Sequence, residues 1–144
     1  MVDRTSQLAV VAWARLERAH RAALGIVERR LKEARLPALG WYDVLLELER
    51  AGATGLRPFE LQSAMLLAQY NLSRLIDRMV AAGHVARKAS EVDGRGQVLT
   101  VTRSGRAWRR KMWPVYAAAI EEAVGRHYSD AEAATLSALL ARLY

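Results

Sequence analysis

Cysteine is absent from this chain of 144 residues. Disulfide frameworks, Cys-ligated zinc, iron–sulfur clusters and thiol redox sensing are thereby excluded, and the reducing cytoplasm is the expected compartment. Long apolar runs are missing too. Leu8 to Ala14 stops at Arg15, and Met112 to Ile120 is interrupted by Pro114, both far short of the roughly 20 residues that cross a bilayer. A signal peptide is not expected, because Leu8 to Ala14 barely reaches an h-region and Asp3 spoils a basic n-region. With 52% hydrophobic residues, one soluble domain covering residues 1–144 is the expectation, large enough to fold without disulfides or metal.

What the chain does have is basic charge, placed unevenly. Of 22 Lys+Arg and 15 Asp+Glu, the stretch from Arg57 to Lys111 holds eleven basic residues and four acidic ones, while the two ends together balance. The whole excess of +7 therefore lies in the middle. Nine of those eleven are Arg, the side chain that grips phosphate bidentately and reads guanine edges, so a polyanion is the partner to test first.

Apolar periodicity orders the elements. Trp13, Leu16, His20, Leu24, Val27 and Leu31 recur at helical spacing and predict one long amphipathic helix ending before Pro37. So long an opening helix has little of its own chain to pack on, which suggests an intermolecular partner; His20 on its stripe reads as a buried or interface residue. Trp41, Val44, Leu45 and Leu48 predict a second, short helix stopped at Ala51-Gly52. Pro58 opens a third, with Leu61, Ala64 and Met65 facing inward, and a fourth buries Leu72, Leu75, Ile76 and Met79 before Gly83. His84 to Lys88 and Val98 to Thr102 then read as a β-hairpin with a charged tip. Thr102 or Ser104 can cap a further helix that Pro114 should kink, and Ser129-Asp130-Ala131-Glu132 is a capping box for the last.

Two short helices joined tightly and followed by a basic hairpin make a winged helix-turn-helix, whose second helix enters the major groove. At about 100° per residue, the side of the fourth helix opposite its apolar face displays Tyr70, Arg74 and Asp77, with Ser73 on one flank and Asn71 and Arg78 on the other. Arg suits guanine, Asn adenine, and Ser and Tyr phosphates or base edges. Gln69, Tyr70 and Asn71 stand at the helix start, where free N–H groups favour a phosphate. Asp77 is expected to pair with Arg74 or Arg78, or to meet a cytosine amino group. In the hairpin, Gly94 and Gly96 bracket Arg95, as a minor-groove probe requires, and Asp93 can brace it.

From Pro58 through Gly105, and more loosely over the whole chain, these residues resemble the MarR family of bacterial winged helix-turn-helix transcription regulators. The resemblance is carried by Asn71-Leu72-Ser73-Arg74-Leu75-Ile76-Asp77-Arg78-Met79, Ala82-Gly83-His84-Val85-Ala86-Arg87, Asp93-Gly94-Arg95-Gly96 and Val101-Thr102-Arg103-Ser104-Gly105, with Trp41-Tyr42-Asp43-Val44-Leu45 matching the family's second helix. It implies a mainly α fold with a small β-hairpin wing: residues 1–35 and 104–144 as dimerisation helices, and 40–103 as the DNA-binding part. It also implies a homodimer on a pseudo-palindromic operator. Ser73 and Arg74 fall at base- and phosphate-contacting positions, Arg95 at the wing tip, and Arg87 where the chain enters the wing, for phosphate contact or wing structure. The family often releases DNA on binding small aromatic ligands, and Trp13, Trp41, Tyr42, Trp108 and Trp113 are the candidates to line such a pocket, although aromatics at helical spacing read first as core. The family's cysteine-based sensing is excluded.

Other function classes fare worse. There is no Gly-rich phosphate loop, nucleophile elbow or metal-ligand pair, and His20, His84 and His127 are far apart, so no enzyme, cofactor or metal is expected. A sequence-tolerant architectural DNA binder or a winged-helix module for protein contact remains the alternative. Operator, effector, target genes and the choice between repression and activation are not written in the sequence.

Overall fold

A computed structural model describes residues 5–66, 71–90 and 96–144. Among the described residues six α-helices and one hairpin follow in order, besides short 3-10 turns: α1 (Gln7–Glu33), α2 (Leu39–Ala51), α3 (Pro58–Ala64), α4 (Leu72–Ala81), β1 (Val85–Ala89), β2 (Gln97–Val101), α5 (Arg103–Ala123) and α6 (Asp130–Leu140). Among the described residues no helix is long and apolar enough to cross a membrane. The chain divides into two compact units, one running Leu31–Val115 and the other holding α1 through Arg30 together with the chain from Tyr116 onward.

The core of Leu31–Val115 is built around α2. Val44, Leu45 and Leu48 are fully buried and cluster with Leu61 of α3, Leu75, Ile76 and Met79 of α4, and Val85, Leu99 and Val101 of the hairpin. Each such side chain contributes about 1.5–3 kcal/mol by leaving water. Helix ends follow local chemistry. Pro58 occupies the first turn of α3, where its missing N–H costs nothing, and the Glu60 carboxylate accepts from the Arg57 backbone N–H at 2.9 Å. Thr102 rather than Ser104 caps α5: its hydroxyl accepts from Gly105 N at 3.1 Å and donates to the Gly83 carbonyl at 2.7 Å. Helix α5 runs on through Pro114.

Two local expectations change. The strands pair Val85 with Val101 through Ala89 with Gln97, one residue later on β1 and one earlier on β2 than the pattern suggested, because His84 and Thr102 are spent joining the hairpin to the helices. Ala64 is exposed rather than inward, since α3 ends there and Met65 already has extended backbone. A third strand-like contact also forms, Leu56 N–H donating to Leu99 O at 3.0 Å and Leu99 N–H to Leu56 O at 2.7 Å.

The other unit is built differently. Arg30 of α1 grips Glu122 of α5 with two bonds, Nε to Oε2 at 2.7 Å and Nη2 to Oε1 at 3.0 Å. Helix α6 opens with the expected capping box, Ser129 Oγ accepting from Glu132 N at 3.2 Å and Glu132 Oε1 from Ser129 N at 3.0 Å. Yet no residue of α6 is buried, and apolar side chains stand in water: Leu8 is 79% exposed, Trp13 64% and Leu143 67%. His20 is exposed as well.

Two tests follow from the core of Leu31–Val115. Gly55 has φ +69°, and a Cβ there would lie 2.5 Å from the Leu99 carbonyl oxygen, whereas Gly52, at φ +64°, has nothing within 4 Å. Gly52→Ala should lose only the backbone cost of about 1–3 kcal/mol, and Gly55→Ala clearly more by denaturant titration, because it also breaks the Leu56–Leu99 bridge. Equal losses would show that the bridge is not stabilising. The second test concerns Glu49, whose carboxylate accepts from Arg109 Nε; that bond, together with the charges of Arg109, Arg110 and Arg106, holds its pKa below the usual 4.5 despite partial burial. A depressed carboxyl stabilises the fold above its unfolded pKa and stops doing so as pH falls through the folded value. Wild type should therefore exceed Glu49→Gln by about 1 kcal/mol at pH 7, with the gap closing below pH 4.5; a gap constant from pH 7 to 3 would contradict this.

Candidate nucleic-acid interface

Helix α4 is split lengthwise by its sequence. Leu75, Ile76 and Met79 are buried and Leu72 half-buried, while Asn71, Ser73, Arg74, Asp77 and Arg78 are exposed. The apolar face expected from the period is thus the one that docks, and the polar face is the one left to solvent. Asn71 is the N-cap: its Oδ1 accepts from the Arg74 backbone N–H at 3.3 Å. That bond commits the carbonyl side of its amide and leaves the amino group for any adenine contact.

Asp77 takes a partner other than the two expected. It accepts from Arg87 Nη2 at 2.5 Å, tying α4 to the first strand of the hairpin, instead of pairing with Arg74 or Arg78. The reason is geometric: the hairpin returns beside α4, so β1 brings a cation across from Asp77. Both side chains are solvent-exposed, so the bond orients more than it stabilises. Among the described residues Arg74 and Arg78 have no ion pair. Beside α4 opens a cleft of about 550 Å³ lined by Phe59, Gln62, Asn71, Ser73, Arg87 and Gln97, among others. Phe59 is 67% exposed there, a feature that sequence periodicity does not flag because α3 is too short to show a stripe.

At the base of the hairpin tip, Gly96 has φ +73° and its carbonyl accepts from Ser90 N at 3.2 Å, while Arg57 Nη2 donates to Ser90 Oγ at 3.4 Å. Gln69 and Tyr70, and Asp93, Gly94 and Arg95, lie outside the described residues. The structure therefore brings Asn71, Ser73 and Arg87 together on one cleft, with Arg74 and Arg78 on the exposed side of the same helix.

The aromatic residues fall into packed groups. Trp41 and Trp108 both stand edge-on to the His84 ring at 5.7 Å between centroids, and Tyr42 stacks on Trp113 at 6.0 Å. Trp13 belongs to the other unit. None of the five lines the cleft beside α4 or the one along α6. Among the described residues no group of three His, Asp or Glu side chains is placed to hold a metal.

The sequence model of the MarR family matches residues 36–96, the segment that spans α2, α3, α4 and the hairpin up to Gly96. No curated protein sequence matches the chain. Solved structures do. A MarR family transcriptional regulator from Silicibacter pomeroyi is 26% identical, with TM-score 0.78 over 99% of this chain and 96% of that one. Sco3205 of Streptomyces coelicolor, a MarR family regulator solved in complex with DNA, is 21% identical, with TM-score 0.82 over 96% and 90%. BpsR of Bordetella bronchiseptica, whose DNA binding is regulated by 6-hydroxynicotinic acid, is 22% identical, with TM-score 0.78 over 99% and 96%. The sequence pattern of the MarR family is thus matched over residues 36–96, across α2, α3, α4 and β1, and the fold of MarR family regulators is shared along nearly the whole chain.

Proposed function

We propose that the chain is a sequence-specific, double-stranded DNA-binding transcription regulator that acts as a homodimeric repressor on a pseudo-palindromic operator. The observation that carries this reading is α4: its apolar face is docked on the α2 core while Ser73, Arg74 and Arg78 stand exposed beside a cleft that also holds Arg87. Such an arrangement presents a rigid helix with Arg at its centre to the major groove. The excess charge of the middle segment supplies attraction for phosphates. Arg95 is assigned to the minor groove and Gln69 and Tyr70 to the helix start, on the sequence alone.

Dimerisation is supported by the unpartnered apolar side chains of α1, α6 and the C-terminus. Regulation of DNA binding by a small aromatic ligand has a precedent in BpsR; burial and packing support a core role for Trp41, Tyr42 and Trp108, whereas Trp113 is 46% exposed. An architectural binder would contact phosphates alone, and competition by unrelated duplex separates it from a base reader.

Operator selected from a random duplex pool gives the test. Arg74→Ala should cost about 1–3 kcal/mol on that operator and relax preference at one base pair, while losing less on nonspecific duplex; an equal loss on both would make Arg74 a phosphate contact only. Arg95→Ala should weaken binding and dull preference for A·T flanks without altering the central motif, and wild-type behaviour would deny the hairpin a place on DNA. In sedimentation, the protein should stay dimeric at micromolar concentration and melt at a concentration-dependent temperature. A stable folded monomer would refute the dimer.

A further inference from the structure

His84 is the first residue after the left-handed Gly83 that ends α4, and it is only 7% exposed. Its backbone closes the corner in both directions, the N–H donating to Met79 O at 2.9 Å and the carbonyl accepting from Thr102 N at 3.1 Å. Its ring fills a slot between Trp41 of α2 and Trp108 of α5, each meeting it at 65–67°. Ser104 Oγ lies 2.8 Å from its Nδ1. One imidazole thus joins the end of the recognition helix, the start of the hairpin, α2 and α5.

The slot suits a neutral ring and opposes a charged one. Burial alone pushes the His84 pKa below 6.5. Carboxylates on the elements around it are held elsewhere: Glu47 by Arg50, Glu49 by Arg109 and Asp77 by Arg87. Asp43, also buried, follows Trp41 by two positions and so points to the other side of α2. Within Leu31–Val115 the remaining charges on these elements are of the wrong sign for an imidazolium: Arg74 and Arg78 on α4, Lys88 on β1, and Arg103, Arg106, Arg110 and Lys111 on α5. Lys111 Nζ already sits 4.8 Å over the Trp108 ring, taking one of its π faces.

We infer that His84 is a positioning residue for DNA recognition, and that only its neutral imidazole clamps the α4–β1 corner onto α2 and α5, so that acid loosens the helix and the hairpin together. The inference rests on the DNA-binding reading for its functional consequence, but not for the clamp itself. The sign follows from linkage. A histidine whose folded pKa is depressed binds its proton more readily in the loosened state, so the clamped state is favoured above pH 6.5 and loses ground as pH falls toward the folded pKa. Affinity then drops with the clamped fraction. Net charge pushes the opposite way: any proton the chain takes up makes it more positive and strengthens phosphate attraction. A loss of affinity in acid is therefore specific to the clamp.

The experiment uses the full chain and two readouts. Without DNA, Trp emission is titrated from pH 8 to 5 in wild type, His84→Phe, which keeps an uncharged ring, and His84→Gln, which keeps a polar partner for Ser104 but cannot titrate. Wild type should show a step below pH 6.5 that both variants lack. With the selected operator at fixed salt, wild type should bind about tenfold more weakly one unit below the imidazole pKa than at pH 7.5, whereas each folded variant should be flat or tighten slightly. Using two variants guards against misfolding of one. An emission step that persists in the variants, or an identical fall in affinity in wild type and variants, overturns the inference while leaving DNA binding intact. Failure to bind any duplex at any pH removes the DNA-binding reading, and the emission titration still decides the clamp.

Discussion

Burial of Leu75, Ile76 and Met79 against Val44, Leu45 and Leu48 is the contact on which the rest of the structure depends. Helix α4 has ten residues, too few to be stable alone in water, where isolated helices shorter than about 12–15 residues are marginal. Its direction is therefore set by what its apolar face docks on. Once that face is fixed on α2, the azimuth of Ser73, Arg74 and Arg78 is fixed as well, because all of them share one helical backbone. The hairpin enters the same cluster through Val85, Leu99 and Val101, so helix and hairpin are held by one core.

Pairing of the acidic residues then shapes the surface. Asp77 is bound by Arg87, Glu49 by Arg109 and Glu47 by Arg50, while Arg74 and Arg78 stay without an ion pair among the described residues. On the face proposed to meet DNA a carboxylate would repel a polyanion unless a cation screened it, and the Asp77–Arg87 bond supplies that cation while tying α4 to β1. At such exposure a pair adds little to folding. Its consequence is orientational, since it limits where the Arg87 guanidinium can point.

The unit formed by α1 through Arg30 and the chain from Tyr116 contrasts with this. It has end-capping and a bidentate ion pair, but none of α6 is buried and large apolar side chains lie in water. Helical regularity there comes from local chemistry, without the dense burial that organises Leu31–Val115.

Much of this was legible before any coordinates. Helical spacing of Leu72, Leu75, Ile76 and Met79 determined which side of α4 is buried, Pro58 and Ser129 marked helix starts, and the clustering of Arg between residues 57 and 111 marked the charged segment. These are local signals: period, capping and composition act over a few residues, so they can be read along the chain. What remained hidden joins distant residues. Asp77 chose Arg87 over its helical neighbours because the hairpin folds back beside α4. Leu56 bridged Leu99 because the residue before it is a glycine that lets two backbones meet. His84, whose own sequence neighbourhood says nothing of tryptophan, met Trp41 and Trp108 from 43 residues before it to 24 after. The sequence by itself determined the elements, their faces and their charge; only tertiary structure decided their partners, because a side chain's partner depends on which elements the core draws together.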